Sequence, residues 1–343
     1  MQNIHINSQH YTMAGTITLA LRLVVGWTYF SAFWRRLILA DKLNPDTAGY
    51  IGEKFNHFLP NALGIKPIIE RLLLNPDELW LAMVIFTIIE GVVGLFILFG
   101  LFTRLMSIGV IALAMGILLG SGWLGTTCLD EWQIGVLGIS GGFILFLSGS
   151  GYYAVDNWLL NKKYIFTTKK WFSWLGSGSL PIKLHTLKKL SLTGATLILF
   201  LTLFTNHYFH GGLWGTLHNK SVKPLIEVSD AVIDINQLQF NVYRVEGVDV
   251  YGSFLIGISL KDSHGKTILN LKGEDLAKLP KSAIRNKYIA DVKSGKYSLI
   301  IPLGAKASIT LPVGSGILSE HENYILTLTD ISGATWSSSV KVN

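Results

Sequence analysis

The sequence is poor in cysteine and in charge. Its 343 residues include one cysteine, and 15% of them are charged, against about 25% in an average soluble domain. A single cysteine excludes an intrachain disulfide, an all-cysteine metal site and a cysteine-ligated iron–sulfur cluster. The sequence also lacks a dinucleotide fingerprint and a haem-attachment motif, and no metal or flavin motif is evident. Most of the net charge of +7 lies in one lysine-rich segment, which favours a membrane surface over nucleic acid.

Long apolar runs fill the first two thirds of the chain. Each is about 20 residues long, the length that crosses the hydrocarbon core of a bilayer. No cleavable signal peptide is apparent, because the N-terminus lacks a basic region. Gly116 with Gly120, and Gly138 with Gly142, form small-xxx-small pairs that let helices approach closely in lipid, so the first four spans are predicted to form a compact bundle. We predict five spans, at residues 15–34, 79–102, 105–125, 132–155 and 190–205.

The distribution of lysine and arginine predicts the orientation of these spans. The segment after the fourth span holds seven lysines and one acid, Asp156, and is therefore expected in the cytoplasm. The loop between the third and fourth spans has no basic residue and is expected outside. A multi-pass protein of the cell (inner) membrane follows, with a cytoplasmic N-terminus and a periplasmic or extracellular C-terminal region.

The last third of the chain reads as strands. Runs such as QFNVYRV, KYSLIIPL and NYILTLTD alternate between apolar and polar residues and are separated by turn residues. They predict an extracytoplasmic antiparallel β-sandwich, tethered by a fifth transmembrane helix to a four-helix transmembrane bundle. Short amphipathic surface helices are expected at 50–58 and 67–74. The predicted domains are the bundle (1–160), a basic linker (161–189), the fifth helix (190–206) and the sandwich (207–343).

Two arginines, Arg35 and Arg36, end the first span on the side that is predicted to face outward. One interpretation is that they anchor the helix among lipid headgroups. The other is that they bind a small anion, since the guanidinium group presents paired donors that fit oxyanions.

Two charges, Arg22 and Glu90, fall inside the first and second spans. Charges within a membrane are costly and are usually paired or functional. Their expected depths agree, at roughly 12–18 Å from the inner surface, so an ion pair between the two helices is one interpretation. The other is that Glu90 passes protons to a lipid-soluble cofactor. One face of the first span connects the buried arginine to an outer one and is predicted to line a cavity: Arg22, Gly26, Tyr29, Phe33 and Arg36.

The single cysteine, Cys128, lies just before the predicted start of the fourth span, where Asp130 is a plausible N-cap and Gln133 completes a capping box. A thiol at a helix start feels the positive end of the helix dipole, and nearby arginine lowers its pKa further. Cys128 is thus either an inertly packed side chain or a reactive thiol.

Three histidines, His207, His210 and His218, flank the exit of the fifth span. Their His-x-x-His spacing binds metal only when further ligands complete the site. We expect no metal and interpret them, with His57 of the first outer loop, as polar residues near the outer surface.

Several stretches resemble a known family. GWTYFSAFWRRLIL, KLNPDTAGYIGEKFNHFLP and GWLGTTCLDEWQIGVLGI resemble the DoxD subunit of thiosulfate:quinone oxidoreductase, and EGVVGLFILFGLFTRL resembles the wider DoxX family of four-helix membrane proteins. NHYFHGGLWGTLHNKSVKP resembles the DoxA subunit. The chain is therefore interpreted as a DoxD–DoxA fusion.

The resemblance implies that two thiosulfate ions are oxidised to tetrathionate on the outer face while two electrons pass to a membrane quinone. A transient adduct of thiosulfate with the cysteine is our hypothesis for this chemistry. The expected partners are thiosulfate, a membrane quinone and the lipid bilayer, a homo-oligomer is permitted, and no nucleic acid is expected. The candidate catalytic residues are Cys128, Arg35, Arg36, Asp130 and Glu131, and the candidate quinone-binding residues are Arg22, Glu90, Tyr29 and Trp34.

Two other functions are compatible with the sequence. The chain could be an anion-binding or transport protein, or a scaffold of a redox complex, without catalysis of its own. Such a protein should tolerate the loss of Cys128, whereas a thiol-dependent oxidase should not. A DoxX-like component of an oxidative-stress complex is the third alternative, and it leaves the arginine pair and the outer domain unexplained.

Overall fold

The first predicted span is a bent pair of helices. The computed structural model describes residues 8–47, 49–125, 130–248, 252–314 and 323–342. Helix α1 (Ser8–Ile17) and helix α2 (Leu19–Phe33) meet at an angle of 58°, and α2 continues into a π-helical turn at Trp34–Leu39. At the bend, the Thr18 hydroxyl donates to the Ala14 carbonyl at 3.2 Å and bonds Ser148 Oγ at 3.1 Å. A hydroxyl that bonds a carbonyl one turn back bends a helix.

Two short helices follow α2 and confirm the helices expected in the first outer loop. They are α3 (Gly52–Phe58) and α4 (Lys66–Leu74). Within the described residues, four later helices are long and apolar enough to cross a membrane, and the bent pair makes a fifth candidate, in agreement with the predicted number. They are α5 (Pro76–Phe99), α6 (Thr103–Ser121), α7 (Asp130–Ser148) and α10 (Leu184–His210). Two short helices separate α7 from α10, namely α8 (Val155–Asn161) and α9 (Lys170–Leu175). The chain is thus a membrane protein with a soluble C-terminal domain.

Glycines allow close helix contacts within the bundle. Added Cβ atoms at Gly138 and Gly142 of α7 would meet Ala114 Cβ and Ile111 Cγ1 of α6, at 2.8 and 2.7 Å, as the small-xxx-small prediction requires. Gly116, by contrast, faces open space. Between α2 and α5, Gly94 packs on the backbone of Phe30. Helices α2, α5, α6 and α7 therefore pack at glycine contacts around a small apolar core that consists of Val25, Tyr29, Val93, Ile97, Val110, Leu113 and Leu145.

The C-terminal domain is a ten-stranded mixed sheet with a short helix, α11 (Gly273–Ala277). Its strands are β1 (Leu225–Asp234), β2 (Gln237–Glu246), β3 (Ser253–Lys261), β4 (Thr267–Lys272), β5 (Ile284–Asn286), β6 (Lys293–Ser294), β7 (Leu299–Ile301), β8 (Lys306–Pro312), β9 (Tyr324–Asp330) and β10 (Thr335–Val342).

Two antiparallel groups of strands enclose the core of this domain. The order is β5-β8-β2-β1-β10-β9-β3-β7-β6, with β4 also paired to β3. The pairing of β1 with β10 is parallel, and the other pairings are antiparallel. Alternate residues, among them Leu238, Phe240 and Val242 of β2, point into one shared apolar core. The predicted sandwich is confirmed, with one parallel junction that the prediction did not contain.

The chain divides into two compact units. The helical unit comprises the described residues of Met1–Tyr50, Trp80–Gly122 and Leu129–His218. The second unit, called here the sheet unit, comprises the described residues of Ile51–Leu79, Trp123–Cys128 and Asn219–Asn343. The sheet unit therefore combines the C-terminal domain with the segments that follow α2 and α6.

Candidate functional site

An ion pair joins the end of α2 to α5 in the helical unit. Arg36, on the π-helical turn, donates from Nη1 to Glu90 Oε2 and, at 3.4 Å, to the Thr87 hydroxyl. Its guanidinium also lies over the Phe86 ring, 5.8 Å from the centroid. The Glu90 side chain is 3% exposed and that of Arg36 is 21% exposed. Single π-helical turns occur frequently at functional sites, and a buried charge within a membrane helix, such as Glu90 of α5, is usually paired or functional.

The predicted ion pair between Arg22 and Glu90 is wrong. Arg22 donates from Nη1 to the Ser150 carbonyl at 2.8 Å and from Nη2 to the Tyr153 carbonyl at 2.6 Å. The physical reason is the bend at Thr18, which starts α2 at Leu19 and leaves Arg22 in its first turn. Arg22 therefore bonds the segment after α7, and the carboxylate of Glu90 is neutralised by Arg36 instead.

Near Arg22, a second buried polar cluster is centred on Asp156 of α8. The Asp156 carboxylate accepts hydrogen bonds from the Phe102 and Thr103 amides at 2.8 and 3.0 Å, and from the Thr103 and Ser177 hydroxyls at 2.9 Å. Burial raises the pKa of Asp156, while these four donors lower it. The carboxylate thereby caps the start of α6.

Beside this cap, Arg104 donates to three carbonyls, those of Phe146 (3.0 Å), Gly178 (2.7 Å) and Ser173. Arg104 and Asp156 are both buried. From the sequence, Asp156 was interpreted only as the one acid of the lysine-rich segment after the fourth span. A single acid among seven lysines was the signal that could have drawn attention to it.

The other candidate residues of the first span differ in exposure. Tyr29 is buried among the apolar side chains of the bundle, and its hydroxyl lies 3.5 Å from the Val110 carbonyl. Trp34 is 42% exposed and packs beside Phe30, with ring centroids 6.0 Å apart. Arg35 is exposed and donates to the Ser31 carbonyl at 3.3 Å. Arg36 and Tyr29 thus belong to the packed interior, whereas Arg35 and Trp34 face outward.

The candidate cysteine site falls largely outside the described residues. Cys128 lies outside the described residues, and the side chain of Asp130 is not described either. Glu131 is half-buried in the first turn of α7. The roles predicted for Cys128, Asp130 and Glu131 therefore stay predictions.

Two of the three histidines, His207 and His210, make packing and hydrogen-bond contacts at the end of α10. His210 is buried and its Nε2 bonds the Gly122 carbonyl at 3.0 Å, and the His207 ring packs on Trp214, with centroids 4.3 Å apart. Nearby, Trp132 Nε1 donates to the Thr205 hydroxyl at 2.9 Å. These contacts fasten α10 to the ends of α6 and α7.

In the sheet unit, Asn56 of α3 forms a buried link to the C-terminal domain. Its Nδ2 donates to the Gly304 carbonyl at 3.2 Å, and its Oδ1 accepts from the Ala290 amide at 3.0 Å. Gly304 has a φ of +73°, and a Cβ there would overlap the Asn56 carbonyl oxygen. The position therefore requires glycine, both for its backbone conformation and for this close approach.

Further hydrogen bonds fasten the same segment of chain. Asn61 Nδ2 donates to the Val245 carbonyl at 3.0 Å, and its Oδ1 accepts from Lys220 Nζ at 3.0 Å. The Tyr288 hydroxyl donates to Glu70 Oε1 at 2.6 Å, and this bond, together with Lys287, lowers the pKa of the Glu70 carboxyl. Helices α3 and α4 are thus part of the sheet unit.

The segment after α6 is held in the same unit. The Gly125 amide donates to Ser221 Oγ at 3.1 Å, and its carbonyl accepts from Asn219 Nδ2 at 2.8 Å. Trp123 is fully buried and its Nε1 donates to the Phe58 carbonyl at 3.3 Å. The segments after α2 and α6 are therefore anchored to residues of the C-terminal domain or to each other.

Comparison with known families assigns the two parts of the chain. Residues 17–185 match the family described as TQO small subunit DoxD, and residues 209–339 match the family described as TQO small subunit DoxA. A DoxD match is thus followed by a DoxA match within one chain. This order confirms the predicted DoxD–DoxA fusion and links the chain to thiosulfate:quinone oxidoreductase. The contacts of Asn56, Asn61, Glu70 and Gly125 with the C-terminal domain therefore join the DoxD region to the DoxA region.

The Arg36–Glu90 pair should contribute to the stability of the DoxD region. Glu90→Gln leaves the Arg36 guanidinium without its counter-charge, and we expect the free energy of unfolding to fall by about 1–3 kcal/mol. The measurement is unfolding of the purified protein in detergent. Glu78→Gln is the matched control, because it removes the partner of the exposed Arg71, at 3.1 Å, and should cost about 0–1 kcal/mol. Equal losses in the two variants would contradict a buried pair.

Proposed function

We propose that this chain is a membrane oxidoreductase that oxidises thiosulfate to tetrathionate and passes two electrons to a membrane quinone. The observation that carries the proposal is that a DoxD region and a DoxA region follow one another in a single chain, and that loops of the first are bonded into the domain of the second. Two sequences that merely happened to be joined would have no reason to share a buried asparagine link.

The grouping of segments supports a one-sided outer assembly. In a chain with five spans, the segments after α2, α6 and α10 emerge on one side of the membrane and the other segments on the opposite side. All three contribute to the sheet unit, as expected if they lie on the same side of the membrane. The seven lysines after α7 favour a cytoplasmic location for the opposite side, so we assign the sheet unit to the outer face of the cell membrane.

The reaction balances as follows. A bond between Cys128 Sγ and the sulfane sulfur of one thiosulfate releases two electrons, which reduce the quinone while it takes up two protons. A second thiosulfate then attacks that sulfane sulfur, releases the thiolate of Cys128 and leaves as tetrathionate. Arg35 is the exposed guanidinium that attracts the dianion. Glu90, Asp130 and Glu131 are the candidate carriers of protons.

The quinone site is assigned to the charged and aromatic groups of the DoxD region. Arg36 and Glu90 form a polar pair between the π-helical turn and α5, so a quinone ring that reached this level would meet both a cation and a carboxyl group. Tyr29 lies in the apolar core of the bundle, and the exposed indole of Trp34 lies at the start of the π-helical turn that carries Arg36. Arg22 is removed from this group, because it bonds the Ser150 and Tyr153 carbonyls.

The deciding experiment measures quinone reduction by the purified protein in detergent. Thiosulfate and a soluble quinone analogue are supplied, and tetrathionate is quantified. One tetrathionate for each quinone reduced is the expected result and shows that this single chain suffices. Bound thiosulfate without quinone reduction would favour a carrier or scaffold instead.

The role of the cysteine is tested separately. We expect Cys128→Ser to abolish thiosulfate-dependent quinone reduction, because a hydroxyl does not form the sulfur–sulfur bond on which the proposed steps depend. Thermal unfolding of the same variant is the control for folding. Normal turnover by Cys128→Ser would remove the covalent step and leave direct coupling of two thiosulfates.

A further inference from the structure

The outer surface of strands β5, β8 and β2 carries three cations in two adjacent rows. The register aligns Asn241, Ser308 and Arg285 in one row, since Asn241 pairs with Ser308 and Ser308 with Arg285. In the next row, Tyr243 pairs with Lys306, whose carbonyl accepts from the Lys287 amide at 2.8 Å. Val242 and Ala307, between the rows, point into the core. We call Arg285, Lys287 and Lys306 the cationic face.

Like charges on neighbouring strands are unfavourable in a sheet. The three cations border an open cavity of about 490 Å³, whose remaining polar wall includes Asn241, Asn286 and Ser308. Glu70 Oε1 lies 3.5 Å from Lys287 Nζ, and both side chains are about two fifths exposed, so this pair is weak. A cluster of this kind is stabilised when an anion occupies it.

The neutral groups of the wall already have hydrogen-bond partners within the protein. Ser308 Oγ donates to Asn241 Oδ1 at 2.6 Å, and Asn241 Nδ2 donates to Asp230 Oδ2 at 2.8 Å. Asn286 Nδ2 donates to the Val292 carbonyl at 3.1 Å. These bonds fix the wall, so the cations are the groups that project from it and can meet a ligand. Two of the three cations lie over aromatic rings. Lys306 Nζ is 5.3 Å from the centroid of the Tyr243 ring, and Lys287 Nζ is 5.2 Å from the centroid of the Tyr288 ring.

The cations of this face also affect the pKa of two carboxyl groups at its border. A hydrogen bond from Tyr288 lowers the pKa of Glu70, and Lys287 and Lys306 lower it further. Hydrogen bonds from Asn241 and Ser229 lower the pKa of Asp230, with an additional contribution from Lys306. Both carboxylates are stabilised in their charged form, as a small anion at the same place would be.

We propose that the cationic face is a docking site for a small divalent oxyanion, which, on the proposed function, is thiosulfate or its product tetrathionate. A planar guanidinium fits two oxygens of such an anion, and two ammonium groups supply point charges. The cavity volume falls in the range of small-ligand sites and accommodates the longer tetrathionate. The residues that line the site all belong to the DoxA region, and none of them is assigned to the chemical steps.

The test is calorimetric titration of the full-length protein in detergent with thiosulfate, at low ionic strength to limit screening. We expect Arg285→Gln and Lys306→Gln each to raise the Kd by about tenfold, the usual effect of losing one charge-assisted hydrogen bond. Lys296→Gln is the matched control, because Lys296 Nζ also lies over a tyrosine, 5.1 Å from the Tyr297 centroid, but lies outside the cationic face. Its Kd should stay within about twofold.

Three outcomes are distinguishable. Equal Kd values in the wild type and in both variants overturn the docking site, whether or not quinone is reduced. Thiosulfate binding that depends on Arg285 and Lys306, without quinone reduction, retains the docking site and rejects the proposed function. Binding to nanodiscs of anionic phospholipid that depends on these residues, without binding of free thiosulfate, overturns the assignment to a free oxyanion. Thermal unfolding of each variant verifies that its fold is intact.

Discussion

Asp156→Ala should lower the free energy of unfolding of the helical unit by about 3–5 kcal/mol. The carboxylate accepts four hydrogen bonds, from the amides of Phe102 and Thr103 and from the hydroxyls of Thr103 and Ser177. Its removal leaves these donors buried without an acceptor, and each such donor costs about 1–3 kcal/mol when its site does not relax. It also removes the negative charge from the start of α6.

The measurement is thermal or denaturant unfolding of the purified protein in detergent. Asn157→Ala is the matched control, because it lies next along α8 and loses one exposed hydrogen bond, from Nδ2 to the Tyr152 carbonyl at 3.0 Å. It should cost at most about 1 kcal/mol. Asp156→Asn should give an intermediate loss, since one carboxamide oxygen still accepts. If Asp156→Ala and Asn157→Ala lost the same stability, water would be replacing the carboxylate and the capping role would be refuted.

Gly304→Ala should separate the segment that carries α3 from the DoxA region. An alanine must adopt a φ near +73° and must displace the Asn56 carbonyl from its present position. The left-handed backbone costs about 1–2 kcal/mol, and the displaced Asn56 leaves its buried amide without the Gly304 carbonyl and the Ala290 amide. We expect a total loss of at least about 3 kcal/mol from the sheet unit.

Gly333→Ala separates these two contributions. Gly333 has a φ of +85° and nothing within 4 Å of an added Cβ, so its substitution should cost only the backbone part, about 1–2 kcal/mol. Hydrogen exchange at the Ala290 amide gives the local readout, because that amide loses its acceptor only when Asn56 moves. Unchanged protection of Ala290 in Gly304→Ala would show that the loop stays in place despite the substitution.

The fold was largely predictable because the strongest signals are periodic. Apolar runs of spanning length indicated the long helices, and alternation in runs such as QFNVYRV indicated the strands of the sheet. The parallel junction of β1 with β10 was not predictable, since it joins the first and last strands and depends on which edges remain after the antiparallel pairs have formed.

The candidate site was predicted less well, because its contacts depend on local geometry. We predicted similar depths for Arg22 and Glu90 because the first span was taken to be one continuous helix. The bend at Thr18 shifts the start of α2, and the tight contact of Gly15 with Gly151 that accompanies it has no signature in the sequence. The cationic face was missed for a similar reason. Arg285, Lys287 and Lys306 are unremarkable one by one, and only the register of three strands brings them together.

The anchoring of α3 and α4 has a consequence for biogenesis. These helices leave the ribosome early, yet Asn56 finds its partners only when Ala290 and Gly304 have been synthesised. Contacts between segments so far apart in the chain slow folding. The segment that carries α3 and α4 therefore stays without these partners until the C-terminal domain has been made. A premature stop codon late in the reading frame would consequently leave an unfinished loop between the first two spans, and quality-control proteases would encounter the defect there as well as at the truncated end.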